Sequence, residues 1–154
     1  MNTTDRRHVS GQTLLELVVA LGIVALVLTG LIAAVTSSLR YGQASRFRSR
    51  GVKYAQEGIE IVRKLRDTTT WDAFVAYSGS GTSSWCLDEG GVWSEDSGIG
   101  CPIAAGSQFW RTIIFTWNTS NPGSERMEVT SDVSWADRSA PSTVTLETYF
   151  TQWK

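Results

Sequence analysis

From Leu17 to Val35 the chain reads LVVALGIVALVLTGLIAAV, without one charged residue. As a helix this run would be about 28 Å long, close to the ~30 Å hydrocarbon thickness of a bilayer. The pattern then changes. Val52, Ala55, Ile59, Val62 and Leu65 recur at spacings of three and four. That stripe predicts an amphipathic continuation of the same helix, docked on the rest of its own chain. Lys53/Glu57, Glu60/Lys64 and Arg63/Asp67 set opposite charges at i,i+4 on the exposed side. No Pro interrupts Leu39 to Asp67; Gly42, Gly51 and Gly58 weaken the helix, and Asp67-Thr68-Thr69-Thr70 reads as its stop.

Beyond that stop the period shortens to two. Ala73–Tyr77 is read as a short strand, and Ser78–Ser107 as a long Gly- and Ser-rich loop. Phe109–Trp117 (FWRTIIFTW) is β-branched and aromatic. Arg126–Trp135 alternates, with Met127, Val129, Val133 and Trp135 on one face, and Thr143–Trp153 carries Val144, Leu146 and Phe150 on one side. Asn-Pro-Gly within Asn118–Ser124 and Pro141 within Asp137–Ser142 mark the turns. Three successive strands with short connections predict an antiparallel meander, one face packed on the helix stripe. The fold class is therefore α+β: a long N-terminal helix on a small antiparallel sheet.

Net charge is −1, so bulk electrostatics give no case for nucleic acid as a partner. The two cysteines, Cys86 and Cys101, both follow the apolar run. In an exported segment an even count suggests one disulfide, worth roughly 3 kcal/mol for a loop of this size; in a cytosolic domain both would stay reduced. The apolar run itself admits three readings. It is longer than a secretory signal core, and Ala33-Ala34 is a weak cleavage site. It suits a plain signal anchor. It also suits a filament subunit whose leader ends before the run. Arg6 and Arg7 precede it, while Arg40, Arg46, Arg48, Arg50 and Lys53 follow it. A positive-inside count would put the C-terminal side in the cytoplasm, against the cysteines and the loop chemistry.

Glu16 stands at the edge of the run, and a charge there needs a partner. Its window, Gly11-Gln12-Thr13-Leu14-Leu15-Glu16, resembles the class III signal of type IV pilins and pseudopilins. That signal has a short basic leader, a Gly before the scissile bond, an acid five residues beyond it and then a long apolar helix. The resemblance covers residues 1 to about 40, and the family's plan of one helix and a β-sheet head fits the remainder. It implies cleavage between Gly11 and Gln12, N-methylation of Gln12, and a role for Glu16 in assembly and register. Two departures stand out: Gln12 replaces the usual Phe, and no Pro interrupts the apolar half. Cleavage would remove Asp5, Arg6 and Arg7 and create an α-amino group at Gln12, mostly protonated near neutral pH. That cation is the natural partner of Glu16, within one helix or between staggered copies.

The implied organisation is a leader over residues 1–11 and a membrane and polymerisation helix over 12–36. An amphipathic continuation follows over 37–67, then a β-rich head over 68–154 with its disulfide loop at 78–107. Implied partners are other pilin subunits, a prepilin peptidase, the membrane and the pilus assembly platform. Implied localisation is the cytoplasmic membrane and then an extracellular filament. The alternative is a single-span surface protein with a binding β-rich head that never polymerises.

Little else carries chemistry. His8 is the sole His and lies in the leader, so the head offers no Ser-His-Asp or Cys-His set and no common zinc pattern. The chain is read as a non-enzyme with no cofactor and no metal. Asp88, Glu89, Glu95 and Asp96 cluster in the cysteine loop without EF-hand spacing and read as a solvated acidic loop, with a calcium site as the alternative. Of seven Trp, Trp110, Trp117, Trp135 and Trp153 fall in strands and read as packing residues. Trp85 and Trp93 in the loop are the candidates for surface contacts, unless they pin the loop to the head.

Overall fold

The computed structural model describes residues 10–96, 100–118, 125–136 and 141–152, and for residues 10–12 the backbone alone. The basic leader with Asp5, Arg6, Arg7 and His8, the Asn-Pro-Gly turn, residues 137–140 of the second turn and Trp153 lie outside the described residues. One helix, α1 (Ser10–Thr68), takes in both the apolar run and the amphipathic stripe. The chain divides into two units, residues 1–43 and 44–154.

In the first unit every Leu, Ile and Val from Leu14 to Leu39 is more than half exposed. Its helix is long and apolar enough to cross a membrane, and none of its most apolar window is buried. Helical backbone satisfies its own hydrogen bonds, which is what a lipid environment demands. Thr29 and Thr36 follow the same rule, each hydroxyl donating to carbonyls three and four residues back.

In the second unit the helix packs on a five-stranded antiparallel sheet of order β2-β1-β3-β4-β5. The strands are β1 (Thr82–Leu87), β2 (Trp93–Glu95), β3 (Phe109–Asn118), β4 (Arg126–Trp135) and β5 (Ser142–Thr151). Residue parity decides what faces the helix: Phe109, Ile113 and Phe115 of β3 and Met127, Val129, Val133 and Trp135 of β4 are all buried. Against them α1 presents Ala55, Ile59 and Val62. The apolar core falls into two clusters, one around Ile59, Val62, Phe74 and Phe115, the other around Ala55, Ile103, Phe109 and Trp135.

Two helix glycines set how closely these layers approach. A Cβ at Gly51 would lie 2.6 Å from the Trp135 ring, and one at Gly58 2.8 Å from Ser131 Oγ. Seven residues apart, they lie on one helix face. Their cost in helix propensity is offset by the contact they permit.

Three expectations are corrected. Ala73–Tyr77 is not a strand: the segment forms a short helix, α2 (Trp71–Val75), and a 3₁₀ turn (Ala76–Ser78). Thr70, read as part of a stop, is also a start, its side chain accepting from Ala73 N–H as an N-cap. The segment 78–107 is no plain loop, because β1 and β2 lie inside it, so the three-stranded meander becomes five strands.

Candidate functional site

The residues singled out by the sequence fall into two places. The first is the start of α1. Gly11 and Gln12 lie within its first turn, and Glu16 one turn further along. Glu16 is exposed and has no ion pair or side-chain hydrogen bond among the described residues. Around it are exposed Leu14, Leu15, Leu17 and Val18. A carboxylate in such company is costly in hydrocarbon unless a cation meets it. Cleavage after Gly11 would supply one, a protonated amine at the N-terminus of the same helix. Removing one member of a buried pair of this kind typically costs about 3–5 kcal/mol. Among the described residues around Glu16 there is no nucleophile–base pair.

The second place is the disulfide region of the sheet. Along one edge of β3, β1 covers residues 112–116. The segment around Pro102 covers the rest: Ile103 N–H donates to Phe109 O, Arg111 N–H to Cys101 O, and Pro102 bridges Trp110. Cys86, opposite Thr112, and Cys101, beside Arg111, thus arrive at neighbouring positions on the same edge. Their Cα atoms are 4.9 Å apart and the disulfide is formed. It ties β1, paired on both of its edges, to the segment around Pro102, which meets β3 through an isolated bridge.

Trp85 and Trp93, the candidate surface contacts, are half-buried and turned to the core. Trp85 Nε1 donates to Tyr77 O and to Ser83 Oγ. The rings of Trp85 and Trp93 lie 5.3 and 5.8 Å from that of Tyr77, and Trp93 also meets Phe115. Both pin the disulfide segment to the head. Of the acidic cluster, Asp88 serves the β1–β2 hairpin: its Oδ1 accepts from Val92 N–H, and Gly91 closes the turn at φ +78°. Sulfur and carboxylate atoms of Cys86, Cys101 and Asp96 come within 4.8 Å of one another. A disulfide offers no thiolate, so these three do not make a metal centre. A shallow cleft of about 390 Å³, walled by Trp71 and Trp117 with Asp72, Glu125 and Gln152, lies elsewhere on the unit.

Arg111 is the residue that the sequence reading passed over. It is fully buried and its guanidinium donates to three carbonyls, Leu87 O at 3.1 Å, Tyr54 O at 3.1 Å and Asp88 O at 2.6 Å. Glu57 stands 4.0 Å away. Burial lowers its pKa from the ordinary guanidinium value, opposed by the nearby Glu57 and Asp88 carboxylates, and it stays protonated throughout the physiological range. The side chain staples helix, sheet and hairpin together, and Gly58 leaves the room for it: a Cβ there would be 3.2 Å from Arg111 Cδ. The signal was present, since Arg111 has the inward parity of Phe109, Ile113 and Phe115.

Residues 6–32 match the family described as the prokaryotic N-terminal methylation motif. The matched segment includes Gly11, Gln12, Glu16 and most of the apolar run, and establishes the class III processing signal, the signature of type IV pilin precursors. No curated protein and no solved structure matches the chain.

Proposed function

We propose that this chain is a structural, non-catalytic subunit of a type IV pilus or related filament, a minor one on the strength of Gln12. A prepilin peptidase cuts between Gly11 and Gln12, and the new amine is methylated. The helix is stored in the bilayer and then withdrawn into a bundle of subunits on an assembly platform, ending in an extracellular filament. In that bundle Glu16 pairs with the Gln12 amine of a neighbour. The carrying observation is the methylation motif leading into a helix whose apolar side chains are all exposed within their own unit. Such a surface needs a solvent, first lipid and then other helices.

The test is Glu16→Ala, scored for both membrane insertion and filament incorporation. Incorporation should be lost while insertion is unchanged. Normal incorporation would end the register mechanism.

A further inference from the structure

The shallow cleft belongs to neither of the two places described above. It lies at the pole of the second unit where α1 ends. Trp71 opens α2 just beyond Thr68, Trp117 stands near the end of β3, Glu125 just precedes β4 and Gln152 just follows β5. The opposite pole, where Phe47 meets Phe109 and Gly51 meets Trp135, is the length of β3 away, about 30 Å.

The aromatic walls of the cleft are held from behind. Trp71 packs on Phe74 at 5.9 Å between ring centroids, and Trp117 meets Trp71 at 5.8 Å and 64°. Both indoles pack against the apolar core yet remain partly exposed. The Trp117 backbone N–H donates to Gly81 O at 2.7 Å, which fixes the end of β3 beside Gly79 in the cleft wall. Polar groups complete the lining. Asp72 and Glu125 are exposed and have no ion pair or side-chain hydrogen bond among the described residues. Gln152 adds an amide that both donates and accepts.

This lining narrows the chemistry of an occupant. An indole face is electron-rich and attracts cations or the weakly positive C–H bonds of a saturated ring. A cation is ill suited here, because the Arg66 guanidinium already lies over the Trp71 ring, 4.8 Å from its centroid. An anion would meet two carboxylates. A purely apolar molecule would cover Asp72, Glu125 and Gln152 without pairing them, which is costly. A neutral molecule with a C–H face for an indole and hydroxyls for the polar groups meets every demand, and a pyranose ring is such a molecule. The cleft, at about 390 Å³, has the size of a small-molecule site. We propose that the Trp71–Trp117 cleft binds a neutral carbohydrate, one sugar ring lying on an indole face with its hydroxyls held by Asp72, Glu125 and Gln152. The site needs the second unit alone and stands whether or not the chain polymerises.

The full chain in a polyoxyethylene detergent, which carries no sugar, provides the test. It is titrated with cellotetraose, maltotetraose, xylotetraose and tetra-N-acetylchitotetraose, followed by tryptophan fluorescence and calorimetry. At least one should bind saturably, with a Kd of about 0.1–1 mM for so open a site. Asp72→Asn/Glu125→Gln keeps side-chain size at two exposed positions and should weaken binding about tenfold with cooperative unfolding unchanged. Trp117→Ala should abolish binding, with Cys86–Cys101 formation reporting that this variant still folds. No saturable binding of any of the four sugars, or wild-type affinity in the carboxylate double variant, overturns the proposal. Saturable binding of tetramethylammonium and of none of the sugars assigns the cleft to a cation and also overturns it.

Discussion

The two stretches of α1 put one secondary structure to opposite uses. From Leu14 to Leu39 its Leu, Ile and Val side chains all stay exposed, whereas Ala55, Ile59 and Val62 are buried against a sheet. The glycines differ in the same way. A Cβ at Gly22 or Gly30 would meet nothing within 4 Å, and one at Gly51 or Gly58 would strike a side chain of β4. An apolar run on every side of a helix asks for a membrane or other helices, and an apolar stripe asks for the chain's own core.

Crossed substitutions should break that contrast most sharply. Val62→Asp puts an unpaired carboxylate in the core and should cost about 4 kcal/mol or more, read as loss of cooperative unfolding of the full chain in micelles. Val24→Asp should leave that unfolding unchanged and instead reduce membrane insertion, by about 3 kcal/mol on insertion scales. Next, Arg111→Met strands three carbonyls and should cost about 3 kcal/mol in the same denaturation, with no effect on insertion. Reducing Cys86–Cys101 should cost a similar ~3 kcal/mol, again confined to the second unit.

The glycines sharpen the comparison at a finer scale. Gly58→Ala should destabilise by about 1–2 kcal/mol, its gain in helix propensity outweighed by the clash with Ser131. Gly22→Ala and Gly30→Ala meet no such clash and should be neutral or up to ~1 kcal/mol stabilising to the helix, measured by circular dichroism on heating. The smallest effect should be Thr70→Ala, about 0.5–1 kcal/mol, through loss of the α2 cap.

What the sequence made legible follows the strength of its periodicities. The long helix, the inward faces of β3, β4 and β5, and the cysteine pair could all be read because apolar spacing or residue type carried them. β1 (TSSWCL) could not, since Ser and Thr give an edge-proximal strand little alternation, and the three residues of β2 are too few to show a period. WDAFV is a short apolar run that suits helix or strand equally; Thr70 and Asp72 at its start favoured helix. Trp85 and Trp93 looked exposed because their segment looked like a loop, and once β1 exists their partners are Tyr77 and Phe115. At the other end, Gly11, Gln12 and Glu16 were legible as a motif, whereas the partner they require is formed only by processing.

That processing is the centre of the account, and the mass of the chain recovered from the membrane, together with its N-terminal sequence, tests it most directly. The account expects a chain beginning at Gln12 and carrying one added methyl group. An intact Met1, or a start near Val35, would contradict it, the first leaving a plain anchor and the second a released head.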